Sequence, residues 1–400
     1  MFERLERMPD DPILGLMAAF RADPDARKVD LGVGVYRNDR GETPVLEAVR
    51  KAEQAVLARQ VSKTYVAPAG NAGFNQAMER LTFGNDHPVL KSGRVRSIQA
   101  PGGCGALRVG AELIRRAMPE ATVYVSTPSW ANHVPLLTGA GIKLERYPYY
   151  DGATGGVNFA AMMETLDRLP ERSVVLLHAS CHNPTGADLT EDQWREVLAL
   201  VRRRNFVPYI DMAYQGLGRG VDEDAFGPRL FAAELPEVLV AVSCSKNFGL
   251  YRERTGVLHV VSSTPTSAEA ILTQLVRIAR TLYSMPPDHG AAIVHEILTT
   301  DSLRSAWFAE VGSMRERING LRREAVAQLN KAQSLRDFSF IERQKGMFSF
   351  LGVTVDQVRA LRERHHIYMT DDSRINIAGL RSENIPYFAE AVAQVLGAAS

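Results

Sequence analysis

The chain has 400 residues, with 47 Lys+Arg against 46 Asp+Glu, a formal net charge of +1. Its 45% hydrophobic and 23% charged content is that of a globular chain able to bury a large core without staples, and near-neutrality argues against nucleic acid or an anionic membrane as main partner. Three cysteines and no CxxC pair exclude a disulfide framework and argue against a structural metal site, so no metal is expected and a cytoplasmic location is the default.

The first apolar run, Ile13–Phe20, is short and has no basic leader, so it is read as neither a signal peptide nor a membrane span. Thr43-Pro44 predicts a helix start, with a body from Leu46 to about Arg59 at near-3.6 spacing. Short β-branched runs at Thr122–Ser126, Ser173–His178, Phe206–Asp211, Val238–Ser243 and Gly256–Val261 predict strands. Helix-length amphipathic stretches such as Glu191–Arg203 lie between several of them. The alternation predicts an α/β fold with a mainly parallel sheet flanked by helices. Arg202–Arg204 reads as a solvated helix end. The tail changes character: a long helix over about Ser302–Asn330, short strands at Phe338–Ile341, Met347–Leu351 and Arg374–Ile377, and helices Val355–His365 and Asn384–Leu396 make a smaller α+β domain.

Polar clusters follow the predicted strands: Thr-Pro-Ser-Trp130-Ala-Asn-His133, Cys181-His-Asn183-Pro-Thr-Gly186, Asp211-Met-Ala-Tyr214-Gln-Gly, and Ser243-Cys-Ser245-Lys246-Asn-Phe-Gly249. The carboxyl edge of an open α/β sheet is where ligands bind, so the four should meet in one pocket. Pro101-Gly-Gly103-Cys104-Gly105 precedes a helical stretch. It suits either a tight turn or a cup of backbone amides for a phosphate, and matches neither a Walker loop nor a dinucleotide fingerprint. Lys246, after an apolar strand and among small residues, is a candidate desolvated nucleophile; a surface lysine is the bland alternative. Asp211 at the end of a buried strand needs a cationic partner, and Arg252 and Arg254 can grip phosphate.

Together these residues resemble the class I aspartate/aromatic-amino-acid aminotransferases. The carrying motifs are Ser243-Cys-Ser-Lys-Asn-Phe-Gly-Leu-Tyr-x-Glu-Arg254-x-Gly, Cys-His-Asn183-Pro-Thr-Gly and Asp211-x-Ala-Tyr214-Gln-Gly, and the likeness runs from Asp11-Pro-Ile-Leu-Gly-Leu to Arg374-Ile-Asn-Ile-Ala-Gly-Leu. The resemblance implies a pyridoxal-phosphate enzyme of fold type I, with a large cofactor-binding domain at 44–313 and a small domain formed by 1–43, including an N-terminal arm, and 314–400. It implies that Lys246 holds pyridoxal 5'-phosphate covalently and moves the substrate proton, that Asp211 pairs with the ring nitrogen with His133 behind it, and that Tyr214 and Asn183 hydrogen-bond the ring oxygen. Trp130 would stack on the ring, while Ser243, Ser245, Arg254, Gly103 and Cys104 would hold the phosphate, joined by Tyr65 of a partner subunit. Arg374 and the Gly34 backbone would bind the substrate α-carboxylate, beside Trp130 and Asn183, and Arg280 of the partner would grip a side-chain carboxylate.

Three features depart from the family's pattern. Cys104 stands where a hydroxyl residue is usual, and all three cysteines fall inside site motifs. Met285 and Asp371-Asp372-Ser373, with Tyr251–Gly256, look closer to broad-specificity aromatic enzymes than to strict aspartate ones. The expected activity is a ping-pong transfer of the amino group of aromatic amino acids, and of aspartate, to 2-oxoglutarate by a homodimer with shared sites. A strict aspartate aminotransferase and a non-catalytic binding protein on the same fold are the alternatives. A nicotinamide dehydrogenase would need a fingerprint that is absent.

Overall fold

The computed structural model describes residues 1–8, 12–332 and 336–397. The expectation at Asp11 therefore lies outside the described residues. The chain divides into two compact units, Pro44–Glu316 and Met1–Thr43 with Arg317–Ser400.

The larger unit is built on a seven-stranded sheet: β1 (Val95–Pro101), β2 (Thr122–Thr127), β3 (Lys143–Pro148), β4 (Val174–His178), β5 (Val207–Met212), β6 (Val238–Ser243) and β7 (Thr255–Val261). Their spatial order is β1-β7-β6-β5-β4-β2-β3. The β6-β5-β4-β2-β3 pairs are parallel, and β7 runs antiparallel to both β6 and β1. One reversed strand between two others leaves β1 pointing the same way as β6. The carboxyl ends of β1, β2, β4, β5 and β6 and the amino end of β7 therefore share one edge.

β4, β5 and β6 are buried along their whole length, as continuous apolar runs in a sheet covered on both faces should be. Val123, Val125, Leu176, Tyr209, Ala241 and Leu258 form the core with the apolar face of a helix that starts directly after β1. The mainly parallel α/β architecture expected from the sequence is present. β1 itself gave no strand signal, because Arg96, Ser97 and Gln99 interrupt its apolar residues. Ser97 is nevertheless buried and bonded to His259 Nδ1 at 2.7 Å.

The helices of this unit that bear on the site are α1 (Glu47–Arg59), α2 (Ala72–Phe83), α3 (Gly102–Ala117), α4 (Glu191–Arg204), α5 (Pro265–Leu282) and α6 (Asp301–Ala332), whose residues after Glu316 belong to the other unit. α4 opens with a capping box between Thr190 and Gln193 and ends at Asn205 in the left-handed conformation. Its last turn carries Arg202, Arg203 and Arg204, with Arg203 reaching Asp167 at 2.8 Å. α1 corrects an expectation. Thr43 does not cap it; its hydroxyl donates to Tyr36 O at 3.0 Å. The helix starts at Glu47, with Leu46 at the cap position and no side-chain cap of its own. The Glu310 carboxylate accepts from Glu47 N at 2.6 Å and Ala48 N at 3.0 Å instead, a service that neighbouring sequence cannot reveal.

In the smaller unit Val29–Asp30 pairs in parallel with Ile367–Tyr368, and Phe348–Phe350 pairs antiparallel with Arg374–Asn376. The helices Val355–His365 and Ile385–Gly397 fall within a residue or two of expectation. The expected strand at Phe338–Ile341 is instead a turn running into a short helix, Phe340–Arg343. Arg322 anchors the end of that helix. Its buried guanidinium donates to Ile341 O (2.7 Å), Gly346 O (2.7 Å), Phe348 O (2.8 Å) and Ser349 Oγ (2.7 Å), which ties the end of the short helix to the turn and strand that follow it. Among the described residues no helix is long and apolar enough to cross a membrane.

Candidate active site

At the shared edge of the larger sheet the four polar clusters meet. Asp211 is opposite His178 in β4 and Ala241 in β6, and Lys246 follows β6 by three positions. Lys246 is half-buried, with its Nζ 4.9 Å from the centre of the Tyr214 ring. Burial lowers its pKa to about 8, with Arg254 adding to the shift and Asp211 opposing it. An amine so placed is far more nucleophilic at neutral pH than a solvated lysine.

Asp211 is buried. Burial pushes its carboxyl up; the hydrogen bond from His133, together with the fields of His133, His178 and Lys246, outweighs that and leaves it below the usual range. Asp211 is therefore an anion in a dry place, and His133 Nε2–H, 2.9 Å from Oδ2, is its donor. On the other side of the ring His133 Nδ1 lies 2.8 Å from the Ser129 hydroxyl, and Ser129 Oγ in turn lies 3.2 Å from His178 Nε2. Burial holds His178 down at about 3 and His182 well below its ordinary value, so both rings are neutral. His182 stacks on Tyr149 at 4.2 Å and is pinned by Ser126 and Thr185. Sequence reading missed Ser129 and His182; short polar residues in a Pro-containing loop carry no distinguishing signal.

Asn183 Nδ2 donates to Tyr214 Oη at 3.3 Å, while its buried Oδ1 has no partner among the described residues. Trp130 is half-buried and meets His133 edge-on at 5.2 Å.

The glycine-rich loop is the start of a helix. α3 begins at Gly102 with no side-chain cap on its first amides. Around it lie the Arg254 guanidinium, against Gly102 and 3.4 Å from Ser245 Oγ, and Ser243, whose Oγ accepts from Ser245 N at 3.2 Å. A Cβ at Gly103 would stand 2.9 Å from the Ser243 Cβ, so glycine is required there. Uncapped amides, two hydroxyls and a guanidinium make a cradle for a dianion. Cys104 is half-buried on the first turn of α3, with Asn132 Nδ2 3.5 Å from its sulfur.

The structure brings Lys246, Asp211, His133, Tyr214, Asn183, Trp130, Gly103, Cys104, Ser243, Ser245 and Arg254 to this one edge. Two expected residues stand apart. Tyr65 is 87% exposed, and Arg280 is exposed in the last turn of α5 with its guanidinium on Ser284 Oγ.

The smaller unit holds its own pair. Arg374 stacks over the Phe348 ring at 4.5 Å and donates to Gly32 O at 2.7 Å. Gly34 approaches the same ring, where a Cβ would fall 2.9 Å from Phe348 Cζ. Asp372 accepts from Thr370 Oγ1 at 2.5 Å and from Arg374 N at 3.2 Å, so the acidic turn before Arg374 orders it.

Comparison with known proteins adds names to this geometry. The profile of the family described as Aminotransferase class I and II matches residues 26–392. The chain is 45% identical over 396 residues to the aspartate aminotransferase of Pseudomonas aeruginosa, covering 99% of this chain and 100% of that one. It is equally, 45%, identical over 394 residues to the aromatic-amino-acid aminotransferase of the same organism, covering 98% of each. The crystal structure of the aromatic-amino-acid aminotransferase from Burkholderia pseudomallei, covalently bound to pyridoxal phosphate, superposes with a TM-score of 0.97 at 45% identity over 99% of both chains. On sequence, fold and full-length coverage alike, this chain belongs to the class I and II aminotransferases.

Proposed function

We propose that the chain is a pyridoxal-phosphate-dependent aminotransferase. It passes the amino group of aromatic amino acids, and of aspartate, to 2-oxoglutarate by a ping-pong mechanism, as a cytoplasmic homodimer. The observation that carries this reading is the convergence at one sheet edge of Lys246, with its Nζ over the Tyr214 ring, and Asp211, whose Oδ2 lies 2.9 Å from His133 Nε2; burial lowers the pKa of the lysine to about 8.

The residues fit the cofactor. Lys246 offers the amine that would hold it, and Asp211 the anion for its ring nitrogen. Tyr214 Oη and the Asn183 amide would meet its ring oxygen, and Trp130 would cover a face. The amides of Gly103 and Cys104, the hydroxyls of Ser243 and Ser245 and the Arg254 guanidinium would hold its phosphate. When bound, the cofactor supplies an electron sink for the negative charge left on the substrate Cα after proton loss.

The protein does the rest. Asp211, kept ionised by His133, holds a proton on the ring nitrogen. With the cofactor bound, Lys246 Nζ as a neutral amine would take the proton from the substrate Cα and hold it on that nitrogen, which its low proton affinity allows near neutral pH. Arg374, stiffened by Phe348 and Asp372, forks onto the α-carboxylate. Burial of β4, β5 and β6 keeps bulk water from the charges.

Tyr65 and Arg280 enter from the second copy in this reading, the first to the phosphate, the second to a side-chain carboxylate. The exposure of both on a single chain supports it. An aromatic substrate requires Arg280 to remain in water, since a charge facing an apolar ring is costly; its present partner, the Ser284 hydroxyl, is a weak hold. Equal similarity to aspartate and aromatic enzymes supports dual use. The test is a visible spectrum of the purified protein and kcat/KM for aspartate, tyrosine, phenylalanine and tryptophan with 2-oxoglutarate. A band that shifts on adding amino acid, with turnover of both classes, is expected. A colourless protein defeats the cofactor assignment, and turnover of aspartate alone defeats the dual one.

A further inference from the structure

Asp224 is a buried carboxylate that the mechanism above does not use. It lies 5% exposed in the short helical turn Glu223–Ala225. Its Oδ2 accepts from Gly216 N at 2.8 Å and Gly218 N at 2.9 Å, and its Oδ1 from Arg219 N at 2.8 Å. Among the described residues it makes no ion pair. The nearby charges look elsewhere: Arg219 reaches Glu191 and Glu223 O, and Arg315 reaches Gly216 O at 3.4 Å. Among the described residues, main-chain amides hold this carboxylate. Such an arrangement orders the loop that supplies them, because the Gly216 and Gly218 amides would otherwise be buried without a partner. The loop has no room to choose another course. Gly216 has φ +96°, and a Cβ at Gly218 would fall 2.6 Å from Asp224 Oδ1.

That loop begins two positions after Tyr214, whose carbonyl accepts from Leu217 N at 2.9 Å. Asp224 also holds a second segment. Its carbonyl accepts from Ser180 Oγ at 3.3 Å, three positions before Asn183, the residue whose amide meets Tyr214 Oη. One residue thus ties down both of the segments that deliver that pair.

We propose that Asp224 is a positioning residue that sets the Tyr214 hydroxyl and the Asn183 amide in register through the two loops it binds, and so tunes the proton affinity of the cofactor-bearing amine. The inference rests on the functional reading above. Donors at an anionic ring oxygen favour the deprotonated form beside it, so loosening the pair raises the titration midpoint of the cofactor band.

The experiment is a spectrophotometric pH titration of holoenzyme for the wild type, Asp224→Asn, Tyr214→Phe and the double variant. An asparagine turns an N–H group toward at least one of the three amides. The expected result is a midpoint raised by about half a pH unit or more in Asp224→Asn, with most of that shift lost in the Tyr214→Phe background. An unchanged midpoint overturns the proposal. A shift of equal size in both backgrounds also overturns it, because a general loosening would not need Tyr214. Should Asp224→Asn give no folded holoenzyme, Ser180→Ala, alone and with Tyr214→Phe, is judged by the same two criteria. A wild type with no titrating band at all would defeat the functional reading itself, and this inference with it.

Discussion

Burying an amine that is still protonated at neutral pH is expensive, and the expense has a measurable pH signature. The Lys246 pKa falls from 10.5 to about 8 because burial penalises the charged form. In the unfolded chain it returns to its ordinary value. Between these two values the unfolded state binds a proton that the folded state does not, so stability rises with pH across that window and is flat outside it. Going from pH 7 to pH 10 should relieve about 2.5 kcal/mol of the penalty. In Lys246→Met the penalty is absent. Cofactor-free wild type should therefore be the less stable protein at pH 7, and should gain about 2.5 kcal/mol on the variant by pH 10. Other titrations cancel in the difference between the two chains. Denaturant unfolding of both apoproteins at several pH values measures it. A difference that does not change with pH would refute the claim that this amine is desolvated. The same shift leaves about one lysine in ten neutral at pH 7, against about one in three thousand for a solvated one.

Three further outcomes follow from other sites. Arg280→Ala should lower kcat/KM for aspartate far more than for phenylalanine; equal losses would remove Arg280 from the side-chain subsite. Arg322→Met strips the donor from three buried carbonyls and a hydroxyl and should cost about 3 kcal/mol or more, read as a lowered denaturation midpoint; a loss near zero would mean that water replaces the guanidinium. Cys181 and Cys244 are buried while Cys104 is half-exposed at the cradle, so a bulky thiol reagent should label Cys104 alone in the native protein, and bound cofactor should protect it. Mass spectrometry of the labelled chain checks both statements, and labelling that is indifferent to cofactor would place Cys104 away from the phosphate.

Much of this was legible in the sequence wherever chemistry and local pattern coincide. Apolar runs rich in β-branched residues marked β2, β4, β5, β6 and β7, and polar residues just past four of their ends marked the site. Asp211 announced its need for a partner by ending a buried strand, and His133 supplies it. What stayed hidden depends on contacts made far along the chain. β1 looked too polar to be a strand, yet Ser97 and Gln99 are buried where partners on β7 and beyond receive them. The start of α1 was misplaced because its cap is the side chain of Glu310. The strand expected at Phe338–Ile341 is a turn and a short helix, whose end at Ile341 is held by a buried arginine on α6 that the local sequence does not show. Asp224 carried no motif at all; only its three amide donors reveal it.

The anion cradle is assembled from Gly102–Cys104 after β1, Ser243 and Ser245 after β6, and Arg254 before β7, segments widely separated along the chain. No single segment holds it: the glycine loop is made long before its arginine, and the cradle is complete only once β7 pairs between β1 and β6. Capture of a phosphate-bearing ligand is therefore a certificate of maturity, available only to a chain whose sheet has closed. Abundant ligand would then act as a thermodynamic ratchet on the finished fold, drawing the population toward molecules that have completed their longest-range pairing.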